Sequence, residues 1–180
     1  SAEKGRTMRA FGADVTEIQS VEKKITKDLV DAMIAKAGEI AERPSHWLAN
    51  QLKNEDGTAG YFGLGEEIWR QTAGAVDAFV HSVSTAHSLH GTSRAIRRHK
   101  SDVLVAAVEP DESAVLSGRP AGSHQIEGIG VGFVPPLWSP SEVDEILTVS
   151  SQDAKAMARR LAREEAIFAG TSTGANVVAA

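Results

Sequence analysis

The stretch AFVHSVSTAHSLHGTSRAIRR, Ala78 to Arg98, decides the fold. Its first half, through Val83, is an apolar run of strand length. Ser84, Thr85, Ala86, His87 and Ser88 follow as a turn of small and hydroxyl residues, and from Leu89 onward the pattern is helical. A second stretch, EEAIFAGTSTGANVVAA at Glu164 to Ala180, repeats the logic, with an apolar run at Ile167 to Ala169, a TSTG turn and a helix. Backbone N–H groups in the first turn of a helix lack intrahelical partners, and the helix dipole makes that end attractive to anions. Hydroxyls on Ser84, Thr85 and Ser88 add donors, so a phosphate can be held there without lysine or arginine. The same residues also suit an ordinary N-capped turn, because serine and threonine are favoured at caps whatever their function.

Outward from these stretches, strands and helices alternate. A helix is expected from Thr26, with Leu29, Val30, Met33, Ile34, Ala37, Ile40 and Ala41 on one face and Pro44 beyond its end. The polar loop NQLKNEDGTAG leads into a helix carrying Tyr61, Leu64 and Ile68 through Trp69. Strands are expected at Val76 to Val83, Val103 to Val108, Ile146 to Val149 and Ile167 to Ala169, with helices at Leu89 to His99 and after a Ser151 cap. That last helix would bury Ala154, Met157, Ala158 and Leu161. Between Pro110 and Pro140 lies a Gly- and Pro-rich excursion, longer than compact domains usually carry without a use for it. Alternation of this kind argues for an α/β fold, a parallel sheet flanked by helices in three layers. In such sheets ligands sit at the carboxyl ends of the strands, where both opening stretches lie.

Composition narrows the function. The 180 residues hold 19 basic and 24 acidic side chains, a formal charge of −5, which gives no chain-wide reason to bind nucleic acid. There is no cysteine, so disulfides, thiolate nucleophiles and Cys metal sites are excluded. No apolar run approaches a bilayer span, and SAEKGRTMRAFGADV has no signal-peptide core, so a soluble, cytoplasmic protein is expected.

Other clusters carry less. His81, His87 and His90 are the parts of a zinc site, but no carboxylate completes a recognised spacing, and no metal is expected. Arg94, Arg97, Arg98, His99 and Lys100 read as a solvated helix end. Glu66 with Glu67, and Glu164 with Glu165, point in different directions on a helix and read as surface.

Taken in order, VDAFVHSVSTAHSLHGTSRAIR, VLVAAVEP, HQIEGIGVGFVP and ARRLAREEAIFAGTSTGANVVAA resemble the cysteine synthase (O-acetylserine sulfhydrylase) family of fold-type-II pyridoxal-phosphate enzymes. SAEKGRTMRAFGADV and NQLKNEDGTAGYFGLGEEIW resemble it too, so the likeness covers essentially the whole chain. The resemblance implies a tryptophan-synthase-β-like fold, with residues 1–42 ending a smaller lobe and residues 43–180 forming an incomplete larger, cofactor-binding lobe. It implies pyridoxal 5'-phosphate as cofactor, with Ser84, Thr85, Ala86, His87 and Ser88 at the positions of the family's Gly-Thr-Gly-Gly-Thr phosphate turn. Ser172 matches the hydroxyl that partners the pyridine nitrogen, a neutral contact suited to β-elimination and replacement. Gln51 matches a glutamine that holds the substrate carboxylate, and Gly128 a glycine passing close to cofactor and substrate.

The implied reaction is β-replacement on an O-activated serine-type amino acid, in which sulfide or a similar nucleophile adds to an aminoacrylate; the implied assembly is a homodimer. A β-eliminating lyase, and a non-catalytic relative acting as a binding domain, are the alternatives. Two departures from the family stand out. Its Schiff-base lysine lies in a Ser-x-Lys type segment ahead of the position where this chain starts, and its Thr-Ser-Gly-Asn loop and C-terminal strand have no match here. The chain is therefore expected to be part of a longer enzyme and not to catalyse alone. Lys4 is expected to be a solvated helix residue. The phosphate turn also has Ser84 and His87 where the family has glycine. Their Cβ atoms are expected to strain the turn by about 1 to 3 kcal/mol, with His87 directed to solvent or, if protonated, to the phosphate.

Overall fold

A computed structural model describes residues 2–19 and 27–180. The chain divides into two compact units, Ser1–Leu48 and Ala49–Ala180. The first holds helices α1 (Ala2–Ala10) and α2 (Lys27–Ala41). Lys4 lies exposed on α1. The expected start of α2 at Thr26 lies outside the described residues. Its predicted stripe includes Met33 and Ile34, which remain exposed within this unit.

The second unit contains α3 (Asp56–Ala59), α4 (Phe62–Gln71), β1 (Ala78–Ser82), α5 (His87–His99), β2 (Leu104–Pro110), β3 (Glu145–Val149), α6 (Ser151–Glu164) and α7 (Thr171–Ala179). The strands form a parallel sheet in the order β1-β2-β3, in which Phe79 is paired with Val105 and Ala107 with Ile146. Successive side chains on a strand face opposite ways, and the sequence uses that alternation to build two apolar layers. Phe79, Val83, Val105, Ala107 and Ile146 meet Ala86, Leu89 and Trp138 on one face. Val80, Val108 and Val149 meet Ile126, Ala154, Ala175 and Ala179 on the other. The result is three layers, with α5 on one side of the sheet and the α6 and α7 pair on the other. Leu89 and Ile96 on α5 are fully buried, each contributing about 1.5 to 3 kcal/mol of apolar transfer.

Two glycines set the closeness of the helices. A Cβ on Gly174 of α7 would overlap the Ala154 carbonyl of α6, and one on Gly91 of α5 would overlap the Thr58 carbonyl of α3. The excursion between β2 and β3 is pinned by carboxylates instead of by regular structure. Glu109, fully buried, accepts from Leu116 N at 2.7 Å, Ser117 N at 2.9 Å and Ser117 Oγ at 2.5 Å. Glu112 accepts from Ser151 N at 2.8 Å, covering an orphan donor at the start of α6.

Two expectations need correction here. Ser150, not Ser151, caps α6, its Oγ accepting from Asp153 N at 3.0 Å. Ser151 instead accepts from Gln125 N at 2.8 Å and so ties the excursion to the helix. Ile167 to Ala169 is not a strand: it pairs with no strand among the described residues, Ile167 N donates back to Leu161 O at 3.0 Å, and Phe168 is 98% exposed. Apolar composition alone does not make a strand without a neighbour to complete its ladder.

Candidate cofactor site

The first turn begins where β1 ends. Val83 N donates to Val108 O at 2.9 Å, so the chain leaves the sheet in register with β2. Ser84, Thr85 and Ala86 form the turn, and the helix already starts at His87, two residues before the expected Leu89. Ala86 is the N-cap, with φ 72° and ψ −8°, in the left-handed region. Strain therefore sits at Ala86, whereas Ser84 and His87, where it was expected, have ordinary negative φ. His90 N donates to Ala86 O at 3.0 Å. Among the described hydrogen bonds, none uses the amides of Ser84, Thr85, Ala86, His87, Ser88 or Leu89 as donor. Six consecutive N–H groups at the positive end of a 13-residue helix make an anion-binding donor set.

The hydroxyls of the turn are oriented by imidazoles. Thr85 Oγ1 lies 3.2 Å from His87 Nδ1, and Ser88 Oγ lies 2.8 Å from His81 Nε2. His87 does not point to solvent. It is buried, its Cε1 2.8 Å from where a Cβ on Gly57 would stand, and its Nε2 has no hydrogen-bond partner. His81 stacks on Phe79 with ring centroids 5.7 Å apart, and burial pushes its pKa down. His90 is buried against Trp138 with ring centroids 5.5 Å apart. Its Nε2 accepts from Ser139 N at 3.2 Å, and its pKa is lowered by burial against the opposing pull of Glu142. The three histidines thus serve three different surroundings. No group of three or more His, Asp or Glu side chains suited to a metal ion occurs among the described residues.

A strap from the excursion joins this turn to the second one. Gly130 N donates to Val83 O at 3.0 Å, and Glu127 N donates to Thr171 Oγ1 at 3.2 Å. Gly128 lies between them, exposed and at φ +92°. Gly130, at φ +63°, leaves no room for a side chain, since a Cβ would come within 2.7 Å of Pro110 Cγ. His124 closes the strap, with Nε2 donating to Gly130 O at 2.8 Å and Nδ1 accepting from Ile126 N at 3.3 Å, a pattern that selects the neutral Nε2–H tautomer. Ser172 follows Thr171 in the first turn of α7 and is half-buried. The strap that carries Gly128 therefore links the end of β1, from which the 84–88 turn departs, to the start of α7, which carries Ser172. Gln51 lies exposed in a turn at 51–53. The segment that follows it reaches the site through Gly57 over His87.

The basic cluster is a set of structural pins and not a freely solvated end. Arg94 forks onto Glu142 at 2.6 and 2.7 Å, and Arg97 reaches Asp144, Val103 O and Glu142 O. Arg98 lies over the Phe62 ring, His99 meets Glu66 at 2.7 Å, and Lys100 meets Asp77 at 2.7 Å. The glutamate pairs are exposed, as expected; Glu67 accepts from Gln71 and Glu164 pairs with Arg160. Sequence reasoning missed Gly57, His124 and the backing role of His81. A histidine in the middle of an otherwise apolar strand was the available signal for His81.

Comparison with known proteins decides the family. The model of pyridoxal-phosphate dependent enzymes matches residues 1–180. This chain belongs to that family. It is 41% identical to cysteine synthase 3 of Caenorhabditis elegans, over the whole chain and 52% of that protein. The crystal structure of cysteine synthase from Entamoeba histolytica superposes with a TM-score of 0.89 at 37% identity, covering 99% of this chain and 52% of the other. An O-acetylserine dependent cystathionine β-synthase from Helicobacter pylori gives 0.89 at 33% identity, over 100% of this chain and 57% of its own. The chain spans about half the length of the curated relatives it matches. The α/β fold with a parallel sheet is that of the fold-type-II pyridoxal-phosphate enzymes. Among the described residues, no helix is long and apolar enough to cross a membrane.

The donor set fits the family's cofactor. A phosphate group needs several convergent donors and little steric bulk, and the turn offers six amides with three hydroxyls close by.

Proposed function

We propose that this chain contributes the cofactor-holding half of a pyridoxal-phosphate enzyme of the cysteine synthase kind. It would act by β-replacement on an O-activated serine-type amino acid with sulfide or a similar nucleophile. The observation that carries this reading is the run of partnerless amides from Ser84 to Leu89, strapped through Gly130 and Glu127 to the turn that presents Ser172.

In this reading the amides of Ser84, Thr85, Ala86, His87 and Ser88 grip the phosphate, and the hydroxyls of Thr85 and Ser88 donate to it. Ser172 faces the pyridine nitrogen with a neutral hydroxyl, which holds the ring by a hydrogen bond without fixing a proton on it. Pyridoxal phosphate, when bound, supplies the electron sink for bond changes at the α-carbon of an amino acid. Gln51 binds the substrate carboxylate, and Gly128, with no side chain and an open surrounding, lets the substrate approach the strap. Residues 1–42 would close the smaller lobe and residues 43–180 belong to the larger. The family resemblance supports a cytoplasmic homodimer.

The test is an absorbance spectrum of the full-length protein titrated with pyridoxal phosphate. A visible band of bound cofactor, weakened by Ser88→Ala and shifted by Ser172→Ala, is expected. No band at saturating cofactor overturns the reading.

A further inference from the structure

The geometry points to His81 as a positioning residue for cofactor phosphate: its Nε2 turns the Ser88 hydroxyl so that the O–H is delivered to the anion. The inference rests on the reading that the 84–88 turn holds that phosphate. It concerns a residue that has no part in the backbone cradle itself.

A serine hydroxyl has one hydrogen and rotates to suit its partners, so a neighbour that donates to its lone pairs leaves that hydrogen for an anion, whereas a neighbour that accepts competes for it. In this fold that partner is built in. His81 and Ser88 are seven residues apart, one on β1 and one in the first turn of α5, and their polar atoms meet at 2.8 Å. His81 lies on the face of β1 that carries Phe79 and Val83, toward α5, and the Phe79 ring at 5.7 Å holds the imidazole flat against it. Two arrangements of the proton are available. If Nε2 accepts, the Ser88 hydrogen is used up and its lone pairs face the anion. If Nε2–H donates, the Ser88 hydrogen is free for the phosphate. A dianion beside Ser88 selects the second, and a chain Nε2–H to Oγ to phosphate results. Thr85 and His87 form a second such pair at 3.2 Å, so two hydroxyls of the turn each have an imidazole partner.

The test is pyridoxal phosphate affinity by equilibrium dialysis on the full-length protein, with cofactor-free thermal unfolding as the control for folding. His81→Gln keeps an N–H within reach of Ser88 and should bind within about twofold of wild type. His81→Leu should weaken binding roughly five- to tenfold, the size of a hydrogen bond to a charged group partly relayed through a hydroxyl. His81→Asn, whose amide stops short of Ser88, replaces the leucine variant if that variant fails to fold. In a Ser88→Ala background the leucine change should cost nothing further.

Wild-type affinity in His81→Leu, an equal loss in His81→Gln, or a loss that persists without the Ser88 hydroxyl would each overturn the inference. If Ser88→Ala binds as tightly as wild type, its hydroxyl does not hold the phosphate and this inference falls while the amide cradle stands; no binding by the wild type at saturating cofactor removes the phosphate reading and this inference together. A loss on Ser88→Ala with none on His81→Leu removes the inference alone.

Discussion

His87 lies directly beneath Gly57: its Cε1 stands 2.8 Å, and its Nδ1 3.0 Å, from the position a Cβ on residue 57 would take. An extra methyl there must displace the ring, and the ring is tied to Thr85. Gly57→Ala should therefore destabilise by about 1 to 3 kcal/mol. In a His87→Gly background, which empties the space, the same change should cost little. A double-mutant cycle by urea unfolding should give a coupling of about 1 kcal/mol or more, and additive losses would show that the contact is not the cause.

Two alanines with the same left-handed backbone should respond differently to glycine. Ala166, at φ 58°, follows the end of α6 and is exposed, so Ala166→Gly relieves strain with no packing loss. A gain of about 1 kcal/mol is expected. Ala86, at φ 72°, is 2% exposed and packs against Leu89 and Val105. Losing its buried methyl, worth about 0.8 kcal/mol, should offset the relief and leave Ala86→Gly close to neutral. Chemical denaturation of the two variants measures the difference.

Glu109 is a buried carboxylate satisfied by three donors from Leu116 and Ser117. Glu109→Gln keeps the shape but sets an amide NH₂ against a donor, and should cost about 2 to 4 kcal/mol. The loss should show in thermal unfolding and in early hydrogen exchange at the Leu116 and Ser117 amides.

Stability should fall on mild acidification. Burial holds the pKa values of His81 and His90 below the ordinary 6.5, so as the pH drops through that value the unfolded chain takes up protons that the folded chain resists. The contribution is fully present above 6.5 and is lost progressively below it. His90→Gln, which retains an acceptor for Ser139 N, should flatten the decline in unfolding temperature between about pH 7.5 and about pH 5.5. An unchanged slope would show that His90 is not its source.

The alternation of strands and helices was legible because each strand carries its own apolar pattern and each helix its own periodicity. β1, β2, β3 and α5 all fall within two or three residues of where the sequence places them. What local pattern could not show was partnership across the chain. The burial of His87 depends on Gly57, thirty residues upstream, and the pairing of Arg94 and Arg97 depends on Glu142 and Asp144, more than forty residues downstream. Serines at 150 and 151 are equally good caps in isolation; the choice follows from Gln125 engaging the second. Ile167 to Ala169 has strand composition, but no strand among the described residues completes its ladder. The placement of Ser84 to Ser88 at the carboxyl end of β1 followed from topology, whereas the run before Ser172 is no strand, and the start of α7 is tied to the first turn by hydrogen bonds through residues 127 and 130.

That yoke makes the two turns mechanically one object. A disturbance at either anchorage, whether a bulkier residue at 130 or a lost hydroxyl at 171, would shift both ends of any molecule lodged between them at once. Grip on one end therefore cannot be tuned without retuning the other.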